Sequence, residues 1–225
     1  MLTEYHCHIL PGIDDGAADS DTALRMIDMM RAQGVERIIA TPHFYAHREK
    51  SVPDFLRKRQ AAFEKIRPQA SVKDIRLGAE IAIEHGISEL PDIARLAAEG
   101  TRLILLELPY RRYERWMSEE IYNMAAEFGL RVMLAHVHRY LDFYTEEELD
   151  ALLAADAVLQ INNEAFSDRA EKRMAKHILR NRASYAFGSD AHDLAKRRPN
   201  WDLLKKKVKA EQILVSDSIL TQYMI

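Results

Sequence analysis

Leu2-Thr3-Glu4-Tyr5-His6-Cys7-His8 is the stretch of sequence that most directly predicts both the fold and the chemistry of this chain. Residues 2–6 have the composition of a short β-strand. Alternate residues of an extended strand point to the same face, so His6 and His8 can bind one metal ion while Cys7 points away from it. Because imidazole nitrogens suit zinc, manganese and iron, the end of this strand is a candidate metal site.

Helical patterns alternate with β-rich runs along the rest of the chain. The predicted strands are Leu2–His6, Arg37–Thr41, Ile75–Glu80, Leu103–Leu108, Arg131–Ala135, Val158–Asn162 and Ser184–Gly188. The predicted helices are Ala23–Gln33, Pro53–Ile66, Pro91–Glu99, Ser118–Phe128, Thr145–Ala155, Asp168–Asn181 and Asn200–Lys209. This alternation indicates a parallel α/β sheet with helical crossovers, which either closes into a barrel or forms a doubly wound open sheet. Because no linker rich in Gly, Pro or Ser divides the chain, we expect one domain over residues 1–225.

The composition limits the classes to which the protein can belong. The 225 residues include 32 Lys and Arg against 35 Asp and Glu, a net charge of −3. A nucleic-acid-binding protein needs a strongly basic face, so we expect no nucleic-acid partner. The apolar runs are far shorter than the roughly 20 residues that cross a bilayer, and the N-terminus lacks a signal-peptide pattern, so we expect no membrane insertion. The single cysteine, Cys7, cannot form an internal disulfide, which fits a reducing cytoplasm.

Histidines and acids stand at or just beyond the C-terminal end of nearly every predicted strand. They are His6, His8, Asp14, Asp15, His43, Glu80, Glu107, His136, Asp190 and His192. In a parallel α/β barrel these strand ends share one rim, where active sites lie, so side chains far apart in the chain are expected to meet there. The set offers more ligands than one tetrahedral ion needs, which indicates two or three metal ions.

Several of these side chains also have ordinary interpretations. Asp15 is more typical of a turn residue than of a ligand, because Asp14-Asp15-Gly16 has the composition of a turn. Glu107 can instead be a paired acid of the core. The histidines that we expect to be ordinary surface or helix residues are His47, His85 and His177.

Three motifs resemble a known family. They are His6-Cys7-His8-Ile9-Leu10-Pro11-Gly12-Ile13-Asp14-Asp15-Gly16, Thr41-Pro42-His43 and Gly188-Ser189-Asp190-Ala191-His192. Together they are similar to the polymerase and histidinol phosphatase (PHP) superfamily. Within it, the sequence most resembles the bacterial metal-dependent protein tyrosine phosphatases of the CpsB type, which belong to capsule and exopolysaccharide loci. The resemblance covers most of the chain, from residue 6 to about residue 200.

The resemblance implies a distorted (β/α)7 barrel of the PHP type that binds two or three divalent metal ions. Manganese is the expected metal, with iron or zinc as alternatives. The implied ligands are His6, His8, Glu80 and Asp190 for the first ion, Glu80, Glu107 and His136 for the second, and Asp14, His43 and His192 for the third. Family members also bind phosphate with two arginines, which Arg139 and Arg197 match here, although Arg198 is adjacent to the second. The family reads His-Pro-Glu-Arg-Tyr after the fifth strand, whereas this chain reads His136-Val137-His138-Arg139-Tyr140.

The function that the resemblance implies is hydrolysis of phosphotyrosine on a protein. The expected partner is a bacterial tyrosine autokinase of polysaccharide export, and the expected location is the cytoplasm. Arg139 and Arg197 are the expected catalytic and substrate-binding arginines. Arg111 and Arg112, in the loop 109–116 after the fourth strand, are further candidates for binding a phosphopeptide.

Two other functions stay open at the level of sequence. One is a related phosphoesterase that acts on a small phosphomonoester such as histidinol phosphate, and the other is a non-catalytic, metal-stabilised regulatory module. A cysteine-dependent tyrosine phosphatase is excluded, because that chemistry needs an arginine six residues after the cysteine, and Ile13 stands six residues after Cys7.

Overall fold

A ring of parallel strands forms the centre of the computed structural model, which describes residues 1–182 and 184–225. The strands are β1 (Leu2–Cys7), β2 (Val35–Ala40), β3 (His43–Phe44), β4 (Asp74–Leu77), β5 (Glu80–Ala82), β6 (Leu103–Glu107), β7 (Arg131–Leu134), β8 (Val158–Asn162) and β9 (Tyr185–Gly188). They pair in parallel in the orders β1-β2-β4 and β3-β5-β6-β7-β8-β9.

Two strands of the ring are interrupted, which explains why the strands fall into two sheets. Strand β2 stops before Thr41-Pro42 and resumes as β3, because proline has no N–H to give to the ladder. Strands β4 and β5 are separated at Gly78-Ala79. The backbone ladder continues across both breaks, since Gly78 N–H donates to Ala40 O over 2.8 Å and Glu80 N–H donates to Pro42 O over 3.0 Å. Each interrupted pair therefore acts as one strand of the ring.

The ring closes between the first and last strands. Asp190 N–H, just after β9, donates to His6 O over 2.7 Å, and His8 N–H donates to Ala191 O over 2.9 Å. An open sheet would leave these two edges apart. The predicted distorted (β/α)7 barrel is thus confirmed, and the doubly wound alternative is wrong.

Helices cover the outside of the ring. They are α1 (Ser20–Ala32), α2 (Val52–Ile66), α3 (Arg115–Phe128), α4 (Glu146–Ala154), α5 (Arg169–Asn181), α6 (Trp201–Lys205) and α7 (Ala210–Gln222). Several helices begin after a side-chain cap: Asp19 accepts from Thr22 N–H, and Thr145 forms a capping box with Glu148. Among the described residues, no helix combines the length and apolarity that crossing a bilayer requires.

The helix predictions are wrong at two places. Residues 91–99 form only a short 3₁₀ turn, Ile93–Leu96, because the chain enters it through Asp92 in the left-handed region, with φ 67°. The predicted helix Asn200–Lys209 ends at Lys205, and the longer α7 that follows is absent from the sequence prediction.

The core has two layers, one inside the ring and one between the ring and the helices. Side chains of β1, β2, β6 and β7, such as Tyr5, Ile39, Leu105 and Met133, pack against one another within the ring. Ile219 and Leu220 of α7 belong to this inner cluster. Because Tyr5 Oη also accepts from the N–H of Leu220 over 2.9 Å, α7 closes the ring at the end opposite the carboxyl ends of the strands. Those carboxyl ends carry the candidate functional residues.

Candidate metal centre

The strand-end histidines and acids that lie far apart in the sequence come together at one end of the ring. Three overlapping groups of side chains have ligand atoms within 4.8 Å of one another. They are His6, His8, Glu80 and Asp190; His43, Glu80 and Glu107; and His8, Asp15, His43 and His192.

The first group is fully buried and converges on one point. Glu80 Oε2 lies 3.0 Å from His6 Nε2 and 3.2 Å from His8 Nε2. Asp190 Oδ1 lies 3.5 Å from His6 Nε2 and 3.3 Å from His8 Nε2. Four side chains from three different parts of the chain therefore face a single position, and they are the same four that the resemblance implies for the first ion.

Glu80 joins the first group to the second. Its Oε2 atom faces His6 and His8 and lies 3.1 Å from His43 Nδ1, whereas its Oε1 atom lies 2.9 Å from His136 Nε2. Glu107 Oε1 lies 3.5 Å from the same His136 nitrogen. A carboxylate with its two oxygens directed at two sets of ligands has the geometry needed to bridge two ions.

The third group contains Asp15 in place of Asp14. Asp15 Oδ1 lies 3.5 Å from His43 Nε2 and 3.4 Å from His192 Nε2. Both oxygens of Asp14 have other partners: Oδ2 accepts from His8 Nδ1 and from the His43 backbone N–H, and Oδ1 accepts from the Gly16 N–H. The structure thus differs from the implied ligand Asp14 and from the interpretation of Asp15 as a turn residue.

Hydrogen bonds behind the histidines fix which ring nitrogen faces the site. His6 Nδ1 lies 3.1 Å from Gln160 Oε1, His8 Nδ1 lies 2.7 Å from Asp14 Oδ2, and His192 Nδ1 lies 2.9 Å from the Asp190 backbone oxygen. An acceptor at Nδ1 keeps the proton on that nitrogen and leaves Nε2 free to bind a metal. Gln160, which sequence reasoning missed, also accepts from His136 N–H over 2.7 Å, and its only sequence signal is an amide within a buried strand.

Several buried polar atoms in this centre lack the partners that burial normally demands. They are Glu80 Oε2, Asp190 Oδ1, His43 Nδ1 and His192 Nε2, none of which makes a well-oriented hydrogen bond to residues 1–182 or 184–225. Buried polar groups without partners are costly, and divalent ions would satisfy all four atoms at once. The donor set of imidazoles and carboxylates also fits a transition-metal ion, so the residues present fit the implied metals.

The acids and histidines of the centre change one another's pKa values. Burial opposes the ionised form of Glu80 and Asp190, but neighbouring histidines outweigh it and hold the pKa of each carboxyl well below its usual range. Burial likewise opposes a charged His136, but Glu107 and Glu80 raise its pKa to about 9. Glu80 and Asp190 are therefore ionised, and in the metal-free protein His136 carries a proton on the nitrogen that faces Glu80, in the position that a metal ion would take.

Backbone strain coincides with the centre. His136 and Asp190 have φ values of 29° and 49°, and they are two of the three non-glycine residues with positive φ among those described. Gly188 permits the close approach of β9 to β1, because a Cβ there would lie 2.7 Å from His6 Cβ. Strained backbone held in place by its surroundings is typical of functional sites.

A buried acid behind the centre is a further residue that sequence reasoning missed. Glu4 Oε1 accepts from His6 N–H over 3.0 Å and from Ser189 N–H over 2.8 Å, and its Oε2 accepts from Trp201 Nε1 over 2.7 Å. Burial raises the pKa of Glu4 despite these donors. Glu4 therefore connects the backbone at His6 to the backbone next to Asp190. Its sequence signal is an acid inside the first predicted strand.

Two arginines that lie far apart in the sequence contact the same carboxylate oxygen. Arg139 Nη2 lies 2.8 Å and Arg197 Nη2 2.9 Å from Asp190 Oδ2. Asn162 Nδ2 donates to the same oxygen over 3.1 Å. Arg198, by contrast, lines an outer groove with Met29. The structure therefore brings Arg139 and Arg197 to the edge of the centre.

The two arginines of the loop 109–116 lie on the surface. Arg111 is exposed, and its guanidinium pairs with Glu114 over 3.0 Å and lies over the Trp116 ring. Arg112 is exposed as well. Neither belongs to the groups that could hold a metal ion, so any contact with substrate would occur beyond the centre.

The sequence is similar to those of known proteins over most of its length. A profile of the family described as "Capsular polysaccharide synthesis, CpsB/CapC" matches residues 2–216. The tyrosine-protein phosphatase YwqE of Bacillus subtilis is 28% identical over 207 residues, which cover 87% of this chain and 79% of the relative. The tyrosine-protein phosphatase CpsB of Streptococcus pneumoniae is 24% identical over 238 residues, 96% of each chain.

Solved structures are similar over nearly the whole chain. One from a study of YwqE of Bacillus subtilis and CpsB of Streptococcus pneumoniae, described as metal-dependent tyrosine phosphatases, has a TM-score of 0.79 at 24% identity and covers 100% of this chain and 96% of that one. A histidinol phosphate phosphatase of Lactococcus lactis, solved with zinc, L-histidinol and phosphate, has a TM-score of 0.54 at 14% identity, covering 98% and 93%. At these identities the likeness shows a common fold. The family profile covers nearly all of the sequence, and the chain therefore belongs to the CpsB/CapC family of capsular polysaccharide synthesis.

Proposed function

We propose that this chain is a metal-dependent phosphatase that hydrolyses phosphotyrosine on a protein. The observation that carries the proposal is the position of Arg139 and Arg197, both within 3 Å of Asp190 Oδ2 at the edge of three overlapping ligand groups. Relatives named tyrosine-protein phosphatases and a similar fold described as a metal-dependent tyrosine phosphatase support it.

The chain would hold two or three divalent ions, with manganese as the first choice and iron or zinc as alternatives. His6, His8, Glu80 and Asp190 would bind one ion; Glu80 and Glu107, with His43 or His136, would bind a second; and Asp15, His43 and His192 would bind a third. When bound, such ions lower the pKa of a coordinated water towards about 7 and neutralise charge on a phosphoryl group.

The two arginines would bind the phosphoryl oxygens. Each guanidinium presents five N–H donors in a planar fork, so the contact with Asp190 leaves donors free for a ligand. Arg139 and Arg197 remain partly exposed, with 27% and 40% of their side-chain surface accessible. Asp190 thereby holds both guanidinium groups next to the positions of the metal ions, where the arginines can stabilise the charge that develops during phosphoryl transfer.

The lone cysteine takes no part in this chemistry. Cys7 is fully buried in the outer core cluster. Burial and the nearby acids Glu4 and Asp190 raise the pKa of its thiol well above the ordinary value. A thiolate nucleophile is therefore disfavoured at this position.

The proposed partner is a phosphotyrosine protein of capsule or exopolysaccharide synthesis, namely a tyrosine autokinase, and the proposed location is the cytoplasm. The description of the family supports the link to capsular polysaccharide. A buried free thiol is compatible with a reducing compartment.

The function is tested by substrate comparison on protein loaded with manganese, iron or zinc. A phosphotyrosine peptide, the matching phosphoserine peptide and histidinol phosphate are supplied at equal concentration, with Cys7→Ser as the control variant. We expect the phosphotyrosine peptide to have the highest kcat/KM, at least tenfold above the others, and Cys7→Ser to match the wild type. Preferred turnover of histidinol phosphate, or no turnover with any metal, would contradict the proposal.

A further inference from the structure

An exposed tyrosine, Tyr110, lies at the edge of the metal centre. Tyr110 follows β6 by three residues and is 43% exposed. Its ring lies nearly parallel to that of His136, with centroids 6.0 Å apart and planes inclined by 20°. The hydroxyl lies 3.4 Å from His136 Nδ1. Tyr110 is thus in contact with a candidate ligand and open to solvent at the same time.

A second exposed aromatic side chain extends this surface. Phe143 is 39% exposed, and its ring centroid lies 5.5 Å from that of Tyr110. Together we call Tyr110 and Phe143 the aromatic face. Two adjacent exposed rings offer apolar surface that a ligand ring can cover with a favourable free energy.

The aromatic face is held from behind. Tyr140 is fully buried, and its ring centroid lies 5.7 Å from that of Tyr110. Tyr140 in turn stacks on Tyr144 with centroids 5.1 Å apart and planes inclined by 12°, and its hydroxyl donates to Leu108 O. The Tyr110 ring therefore rests on a packed support rather than on a free loop, so little ordering is required when a ligand covers it.

The aromatic face is adjacent to the arginine proposed to bind phosphate. Tyr110 Oη lies 3.4 Å from His136 Nδ1, and Arg139, three residues after His136, has its Nη2 atom 2.8 Å from Asp190 Oδ2 in the same centre. A phosphoryl group bound by Arg139 would therefore place the group attached to it beside Tyr110. Aromatic rings bind one another in offset or edge-to-face contacts with centroids about 4.5–7 Å apart.

We propose that the aromatic face formed by Tyr110 and Phe143 binds the aryl ring of the substrate and selects aryl over alkyl phosphomonoesters. The inference rests on the proposed phosphatase function and adds the residues that determine its substrate class. A phosphoserine side chain is too short and carries no ring, so it would leave the face uncovered.

The test measures binding rather than turnover. Dissociation constants of phenylphosphonate and methylphosphonate are determined by calorimetry on metal-loaded protein, and the ratio of the two removes any shared effect on the phosphonate group. We expect the wild type to prefer phenylphosphonate, and Tyr110→Ala to reduce that preference by about fivefold to tenfold, the size of one aromatic contact. Tyr110→Phe, which keeps the ring, should retain the preference within about twofold.

A matched control distinguishes the effect of removing Tyr110 from the effect of removing any exposed tyrosine. Tyr122 is 71% exposed on α3 and lies outside the centre, so Tyr122→Ala should leave the ratio unchanged. The proposed role of the aromatic face is contradicted if Tyr110→Ala leaves the ratio of the two dissociation constants unchanged, or if the wild type does not prefer phenylphosphonate. This holds even if the protein hydrolyses phosphotyrosine. If the wild type prefers phenylphosphonate but does not hydrolyse phosphotyrosine, only the proposed function is contradicted.

Discussion

His8 Nδ1 donates a hydrogen bond to Asp14 Oδ2 over 2.7 Å, and this contact assigns different roles to two adjacent aspartates. Asp14 orients the imidazole and the loop that follows it, whereas Asp15 faces His43 and His192. Side chains that orient a ligand typically affect metal affinity by about 10- to 100-fold without removing the site.

The first prediction concerns these two aspartates. Asp15→Asn should lose one bound ion per chain at saturating metal, because the third group loses its carboxylate. Asp14→Asn should keep every ion at saturation but bind with about 10- to 100-fold lower affinity. Metal titration followed by elemental analysis distinguishes the two outcomes. Loss of an ion in Asp14→Asn, with full occupancy in Asp15→Asn, would make Asp14 the ligand after all.

The second prediction concerns Glu4. Its carboxylate accepts from His6 N–H, Ser189 N–H and Trp201 Nε1, so Glu4→Leu leaves buried donors without acceptors. Each such donor costs about 1–3 kcal/mol, and we expect the free energy of unfolding of the metal-free protein to fall by at least that amount. Urea unfolding provides the measurement. Glu4→Gln, which keeps the shape of the side chain and one acceptor oxygen, should cost less, and equal stability of Glu4→Leu and wild type would disprove this role.

The third prediction concerns pH. The pKa of His8 lies well above its ordinary value: burial opposes its charge, but hydrogen bonds to Asp14, Asp190 and Glu80 outweigh burial. The pKa of His136 is raised to about 9. Both rings are therefore protonated at pH 7 in the metal-free protein, and a metal must displace these protons. We expect manganese affinity to rise between pH 6 and pH 8.5 by about tenfold per pH unit for each proton displaced.

Proton release supplies the direct measurement for that prediction. Calorimetric titrations in two buffers of different ionisation enthalpy should show at least one proton released per chain at pH 7. In the metal-free protein, the stability of the fold depends on pH in the opposite direction: it falls as pH rises. A raised folded pKa stabilises the fold below the unfolded value of about 6.5, and this stability is lost as pH rises through about 9. Affinity independent of pH over this range would contradict the proposed ligands.

The fourth prediction concerns the loop 109–116. Arg111 pairs with Glu114 and Arg115 pairs with Glu119, both at exposed positions, so their charges are partly offset. Such surface pairs are weak, and an acidic phosphopeptide can compete for the arginines. Arg111→Ala combined with Arg112→Ala should raise KM for an acidic phosphotyrosine peptide several-fold with little change in kcat. A KM that does not change, measured at low salt, would exclude these arginines from peptide binding.

The position of the site followed from the sequence because parallel strands align their carboxyl ends. The sequence predicts strand β8 with its observed bounds, Val158–Asn162, and places Glu80 and His136 at the same rim. The choice between Asp14 and Asp15 depends on the dihedral angles of one turn, which composition does not determine. Helix α7 was missed because its apolar residues do not form the single stripe expected of a surface helix: Leu214 is exposed, while Ile219 and Leu220 close the ring.

Glu4 and Gln160 show another limit of prediction from one sequence. Each is a polar residue inside a predicted strand, a pattern that fits both an edge position and a buried hydrogen-bonding role. Only the closure of the ring between β1 and β9 brings Glu4 to Ser189, and only the position of β1 and β8 on either side of β9 brings Gln160 to His6. Their partners are set by tertiary structure rather than by spacing along the chain.

Metal content and activity measured on one sample test the central claim most directly. The protein is purified without chelator, its metals are determined by elemental analysis, and hydrolysis of a phosphotyrosine peptide is measured before and after the ions are removed and restored. We predict two or three divalent ions per chain, loss of activity in step with their removal, and recovery when manganese is returned. A sample without bound ions that retains full activity would contradict the account.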